Sequence, residues 1–504
     1  MSYEVLPYSS ENLAVALSGR GNGTNHYVQS ISTEAVKKKD HYKYFLSYFS
    51  DEGIGARTIV IEKNYISKAY ISDYSNYYST CFKDYQRFCS RVHFFNESFD
   101  KDKFHTEIFE LKSPFLQNCY LGYIVVKPLP ESIIGATILK TYGHTQDKQR
   151  LYHAIREYEI NLFGKDLKIE SLAYQEQDTV VSACASMAIW NAFHKTSILF
   201  QTALPSPSEI TKLAGNLYFN SGRTFPNSGL DLTQIGKAIE SVGLVSELRI
   251  ANSDIPFAKR FVYAYSKAGL PVLLFIEIKN QGHHLITVVG YSEKDEEPGL
   301  KEEISLKADR IERFYAHDDQ VGPFARIALT NSTALETAWT DKDGKNLSGS
   351  IYAIIVPVYP KIRISFDDVL KKSNLIDTVL YQLDVFRYEL EWDIYLADSN
   401  KYKSTILKSS SSSQELKQHI AFTHYPRFVW VAQAYVKGIL VFEILFDSTD
   451  ISRGFFGIDF HLFDPDAKEI LRKVFIDRKY AIFDDDSPIH LGEELFKIVN
   501  SALT

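Results

Sequence analysis

Cys184 stands where a polar run, Gln175 to Asp178, gives way to Ala185–Phe193, a stretch of small and apolar residues without glycine or proline. That composition predicts a buried helix with the thiol in its first turn. Unpaired N–H groups and the helix dipole at such a position favour the thiolate, the form of cysteine that attacks carbonyl carbon. Alone, a cysteine there reads as a small buried hydrophobe. A base changes that reading, and a hundred residues on the chain offers Gly282, His283 and His284, followed by Leu285–Val289 and closed by Gly290 and Tyr291. The branched residues predict a strand with histidine at its start, free to project over a neighbouring helix terminus. A second predicted strand, Arg313–His317, runs into Asp318 and Asp319. A carboxylate there can accept the imidazole N–H and fix its tautomer. Thiol, imidazole and carboxylate are the three parts of a nucleophilic acyl-transfer site.

Two choices stay open on spacing alone. Adjacent residues on a strand face opposite sides, so only one of His283 and His284 can meet Cys184. Asp318 and Asp319 pose the same alternative, and His317 reads as a neighbour, not a participant.

At these residues the sequence resembles the papain-like cysteine peptidases, most closely the bacterial branch that includes the bacteriocin-processing (double-glycine) peptidases. The resemblance is carried by a cysteine opening a long helix, a Gly-His pair opening the strand HLITVVGY, and an aspartate ending the next strand, FYAHDD. The helical SGLDLTQIGKAIESVGL, a following helix and the buried strand GLPVLLFIEI fit between them. It covers roughly residues 166–360. It implies a papain-like α+β domain, with Cys184 as nucleophile, His284 as base and Asp318 orienting the base, acting on a protein or peptide without metal or organic cofactor. The seven-residue step from His284 to Tyr291 matches the family's pattern and His283 does not. Alignment of YAHDD favours Asp318. In the family a glutamine six residues before the nucleophile donates to the oxyanion; here that position is Asp178, whose charge opposes the developing one. Gln177 is the natural substitute, Gln175 a weaker one, and Asp178 is expected to cap the helix-entry loop through backbone N–H groups. Glutamine deamidases and transglutaminases share the constellation. A catalytically inactive scaffold is the alternative from another class, and Asp178 speaks for it.

The elements that must position these residues fall into three segments. Residues 1–165 predict an α+β domain with strands Arg57–Glu62, Arg91–Phe95 and Tyr120–Lys127 and a helix over Ser72–Phe82; His93, His105 and the tyrosines Tyr74, Tyr77 and Tyr78 read as core or interface. Residues 166–360 place helices first and strands last, which argues a cleft between a helical layer and an antiparallel sheet. The acidic stretch Ser292–Arg310 reads as a solvated insertion. Residues 361–504 predict a short helix at Ser365–Ser373 and β-rich remainder, with a hairpin turning at Val436–Gly438 and one low-complexity run, Ser409–Ser413; this segment, like the first, is a candidate module for a protein partner.

Composition narrows the function classes. The chain of 504 residues is 45% hydrophobic with a formal net charge of −7, and its basic residues are scattered among acids, which predicts no nucleic-acid surface. The N-terminus lacks a basic-then-apolar leader, and no apolar run reaches bilayer length, so no membrane role is expected. The four cysteines, Cys81, Cys89, Cys119 and Cys184, are too sparse for a disulfide scaffold and lack histidines at structural-zinc spacing. A reducing, cytoplasmic setting is expected.

Overall fold

The computed structural model describes residues 3–19, 31–144, 149–178, 183–215, 229–294, 304–382, 389–410, 412–451, 454, 456–477 and 497–502. Helices and antiparallel sheets make it α+β. Its residues group into two compact units: Met1–Ile255, Leu270–Ser292 and Glu312–Pro357 in the first; Pro256–Gly269, Glu293–Ile311 and Val358–Thr504 in the second.

The first unit holds two main sheets. One is a meander in chain order, Tyr3–Pro7, Thr58–Tyr65, Cys89–Phe95, Tyr120–Val126 and Ile134–Leu139. The other runs Val272–Ile278, Gly282–Glu293, Ile311–Asp318, Gly322–Leu329, Leu335–Thr340 and Asn346–Val358, and its first strand also pairs with its last. Six antiparallel strands therefore close into a barrel, and Val245–Ile250 pairs outside that ring with the last of them. Strand Arg150–Tyr152 adds to the His284 strand at Gly290–Ser292. Gly290 is required there, because a β-carbon would stand 2.3 Å from the Leu151 carbonyl oxygen. Helices Cys184–Phe200, Pro207–Gly215 and Leu232–Glu240 form a separate layer. The first begins at Cys184, as its composition predicts, and ends at Gln201 in the left-handed conformation (φ 57°). Asp231 caps the third with a reciprocal Gln234 bond. Thr287 Oγ1 donates to the Ala188 carbonyl at 2.8 Å and ties the Cys184 helix to the His284 strand.

Residues 1–165 share a core with the barrel. Helices Ser10–Leu17 and Asp40–Tyr48 bury Leu13, Leu17, Phe45 and Tyr48 in one cluster with Ile59, Phe94 and Ile124 of the meander and with Val289, Tyr315 and Phe324 of the barrel. The division thus puts residues 1–165 with most of 166–360, and its nearest seam to the expected one at 360 is Val358. The helix expected over Ser72–Phe82 lies earlier, at Lys68–Asn76, with a single tighter turn at Tyr78–Thr80. Ser67 decides that start by accepting from the Tyr70 N–H.

The second unit is built on the sheet Leu390–Asp398, Phe428–Val436, Ile439–Asp447 and Gly457–Leu462. Its predicted hairpin turns through Lys437 and Gly438, both at positive φ (50° and 78°), as a two-residue connection requires. The helical content exceeds the β-rich expectation. The helix starting at Phe366 runs to Gln382, and Ser399–Lys408 and Gln414–Phe422 add two more, the last capped by Ser413 from the low-complexity run. The insertion reading of Ser292–Arg310 is also corrected for its described part: Ile304, Leu306 and Ala308 alternate and are buried, and Arg310 makes two bonds to Glu391 at 2.8 and 2.6 Å. Residues 295–303 lie outside the described residues. Among the described residues no helix is long and apolar enough to cross a membrane.

Protein chemistry can separate the three-segment division from the two-unit one. A chain beginning at residue 166 loses most of the shared core and should be molten or aggregated; a cooperative melt of that fragment would instead favour a boundary at 165. Limited proteolysis of the full chain should cut near 409–413 before it cuts near 165.

Candidate active site

The barrel and the helical layer bring the three predicted groups to one place. His284, at the start of its strand, is buried, and its Nε2 lies 3.0 Å from Asp318 Oδ1. The Cys184 thiol reaches the same ring closely enough to raise its basicity. Since Nε2 is committed to Asp318, Nδ1 is the nitrogen left for exchange with the thiol. Burial alone would push the imidazole down, but the Asp318 charge and hydrogen bond, the Cys184 bond and the Asp319 charge together hold it well above the usual histidine value. His283 points away, exposed, with its ring stacked on Phe275 at 5.2 Å. The pleat separates the two histidines.

Asp318 is held by more than the histidine. Trp339 Nε1 donates to its Oδ2 at 2.7 Å and the Gln320 N–H to its Oδ1 at 3.1 Å. Burial raises this carboxyl, but His284 and these donors outweigh it and keep Asp318 below the usual carboxylate range. The Trp339 ring also meets His284 edge-on, centroids 5.0 Å apart, and so covers the ion pair. Trp339 escaped the sequence reading because its strand lies beyond a hairpin whose register no local pattern reveals. Its only signal is rarity, one of four tryptophans.

Asp319 shares the site without sharing the role. Its Oδ1 lies 3.4 Å from His284 Nε2, and burial pushes its carboxyl up to about 7 against the pull of His284, with the Asp318 charge adding to the rise. The two carboxylates are thus driven in opposite directions on one imidazole, so they titrate as a coupled set. The backbone of Asp319 is fixed from residue 41: His41 Nε2 lies 3.0 Å from its carbonyl oxygen and 2.9 Å from the Tyr174 hydroxyl. Tyr44 lies against Gly322 and donates to the Pro323 carbonyl at 2.5 Å. The first 165 residues therefore brace the turn that carries both aspartates.

The oxyanion candidates separate. Gln177 accepts from Gln320 Nε2 at 3.1 Å through its amide oxygen, which leaves its NH2 as the donor. Gln175 is fully buried. Asp178 is buried and accepts the Tyr78 hydroxyl proton; residues 179–182, where backbone capping by Asp178 was expected, lie outside the described residues. Tyr78, read as core, thus has a polar function as well. His317 is spent on backbone, with Nε2 3.0 Å from the Leu172 carbonyl oxygen and Nδ1 accepting the Phe324 N–H at 3.1 Å, and burial lowers it to about 3. His93 bonds the Tyr120 hydroxyl at 2.8 Å, and His105 is exposed against Phe109. All four cysteines are free thiols.

Compared with known proteins, the chain matches no family model, no curated protein and no solved structure.

The coupled carboxylates have a measurable consequence for stability. Asp319 titrates near 7 in the folded chain and at about 3.9 when unfolded, so between those values the folded state binds the extra proton and stability falls as pH rises. Asp319→Asn cannot ionise and should escape that decline. Its melting temperature relative to the parent should rise between pH 5 and pH 8; a constant difference would show that Asp319 is ionised throughout.

Proposed function

We propose that the protein is a cysteine-dependent amide hydrolase, in the simplest form a papain-like peptidase acting on protein or peptide chains. One observation carries the reading: a single buried imidazole is engaged by a helix-start thiol and by a carboxylate, in the order Cys184, His284, Asp318. A helical layer tied to a closed antiparallel barrel, with the three groups on those elements, supports the papain-like arrangement. Four free thiols suit a reducing, cytoplasmic setting.

In this mechanism the Cys184 sulfur attacks the amide carbonyl and the C–N bond breaks as His284 delivers its proton to the leaving amine. A thioester remains on Cys184. The neutral imidazole then takes a proton from water, whose oxygen displaces the sulfur and frees the acid product. Asp318 positions His284 and stabilises its charged form. The Cys184 N–H, in a helix start without a side-chain cap, and the Gln177 amide are the oxyanion donors. Deamidation and transamidation need the same groups and differ only in which amine leaves or enters. An inactive scaffold is the second reading, favoured by the anionic Asp178 at the position where the family has its glutamine.

Alkylation distinguishes them. Burial raises the Cys89 and Cys119 thiols to about 12 and makes both inert, so the informative comparison is Cys184 against the partly exposed Cys81. Iodoacetamide should modify Cys184 fastest in the native protein, with reaction persisting in mild acid. His284→Ala should abolish the acid-side reaction, Asp318→Asn should weaken it, and His283→Ala should leave it. Gln177→Ala should slow turnover of a peptide substrate about a hundredfold while sparing alkylation. Equal reactivity of Cys184 and Cys81 would sink the hydrolase reading in favour of the scaffold.

A further inference from the structure

The second unit carries a polar cluster that the chemistry above does not use. On the edge strand Gly457–Leu462, Asp459 and His461 are two residues apart and so share one face of the sheet. Helix Gln414–Phe422 brings His419 over that face. Both histidines converge on one carboxylate oxygen: His419 Nε2 lies 2.9 Å and His461 Nε2 3.0 Å from Asp459 Oδ2. All three donor atoms lie within 4.8 Å of one another. Around a tetrahedral ion with bonds of about 2.0–2.2 Å, donors stand about 3.3–3.6 Å apart, so the hydrogen-bonded separations need to open by only about half an ångström for one ion to replace the shared protons.

The groups behind His461 fit as well. Its Nδ1 lies 2.9 Å from Glu443 Oε1 and 3.1 Å from the Tyr402 hydroxyl, which itself donates to Glu443. Glu443 faces His461 directly across the ladder, is fully buried, and accepts a further bond from Gln433 Nε2 at 2.8 Å. A carboxylate behind an imidazole selects the tautomer that presents Nε2 and makes it a better ligand. His419 is half exposed, which opens the cluster to solvent, and the Tyr425 hydroxyl sits 2.6 Å from the same Asp459 oxygen.

We propose that His419, Asp459 and His461 form a site for a divalent transition metal of the zinc type, with two imidazole nitrogens and one carboxylate oxygen as ligands and water in the remaining positions. Mixed nitrogen and oxygen donors select such ions over calcium or magnesium, which take oxygen. The ion pins a helix to the strand that ends the sheet, and it is independent of the cysteine chemistry.

The test uses the full chain as Cys184→Ala, which removes the thiol beside His284, after treatment with a chelator. Cobalt(II), followed by its d–d absorption, and zinc(II), followed by calorimetry, should each bind as one saturable equivalent, more weakly as pH falls because protons compete for the imidazoles. His419→Ala, at an exposed position, should abolish uptake without changing the melt of the metal-free protein, and Glu443→Gln should weaken it about 10–100-fold. His284→Ala should leave it intact, although His284, Asp318 and Asp319 form the other histidine-carboxylate cluster among the described residues. Absence of saturable uptake by the folded chain, or uptake that survives both His419→Ala and Asp459→Asn, would mean that protons alone join the cluster and would overturn the proposal.

Discussion

The buried ion pair between His284 and Asp318 sets the terms for the rest of the first unit. Two charged groups out of water are tolerated only with good geometry and further hydrogen bonds, and losing one partner of such a pair costs about 3–5 kcal/mol. Here the extra bonds come from Trp339, on a strand, and the Gln320 N–H, in the turn after Asp318, and both belong to a barrel closed by the pairing of its first and last members. Closure matters because His284, Asp318 and Trp339 sit on different strands. An open sheet could let their ends fray; a closed one holds all three in register.

The same constraint explains why the first 165 residues are not a separate appendage. The turn after Asp318 carries a second buried carboxylate, and its backbone is fixed by His41 and Tyr44. Tyr78 meets Asp178 from the same part of the chain. These contacts cross 100 residues or more of sequence. They give the N-terminal segment a positioning role, and they link the apolar core shared with the barrel to the placement of the proposed catalytic groups.

A comparable economy governs the second unit. Its four-stranded sheet ends in a strand whose Asp459 and His461 meet the buried Glu443 on one side and His419 on the other. Buried charge is again accepted where several partners converge, and the convergence of two imidazoles on one oxygen is what distinguishes this cluster from an ordinary ion pair.

Local sequence determined a good deal of this. The helix beginning at Cys184 and the strands carrying His284 and Asp318 follow from composition and branching, because those signals act over a few neighbouring residues. The hairpin at Lys437 and Gly438 follows from turn chemistry in the same way. Alternation of strand faces made His283 and His284 exclusive choices, but only packing shows which is buried. Barrel closure, the Trp339 bond to Asp318, the bracing by His41 and Tyr44, and the meeting of His419 with Asp459 were decided by tertiary structure alone. Each joins residues far apart in the chain, where no periodicity records the pairing, and each is selected by burying apolar surface and satisfying polar groups across the whole fold.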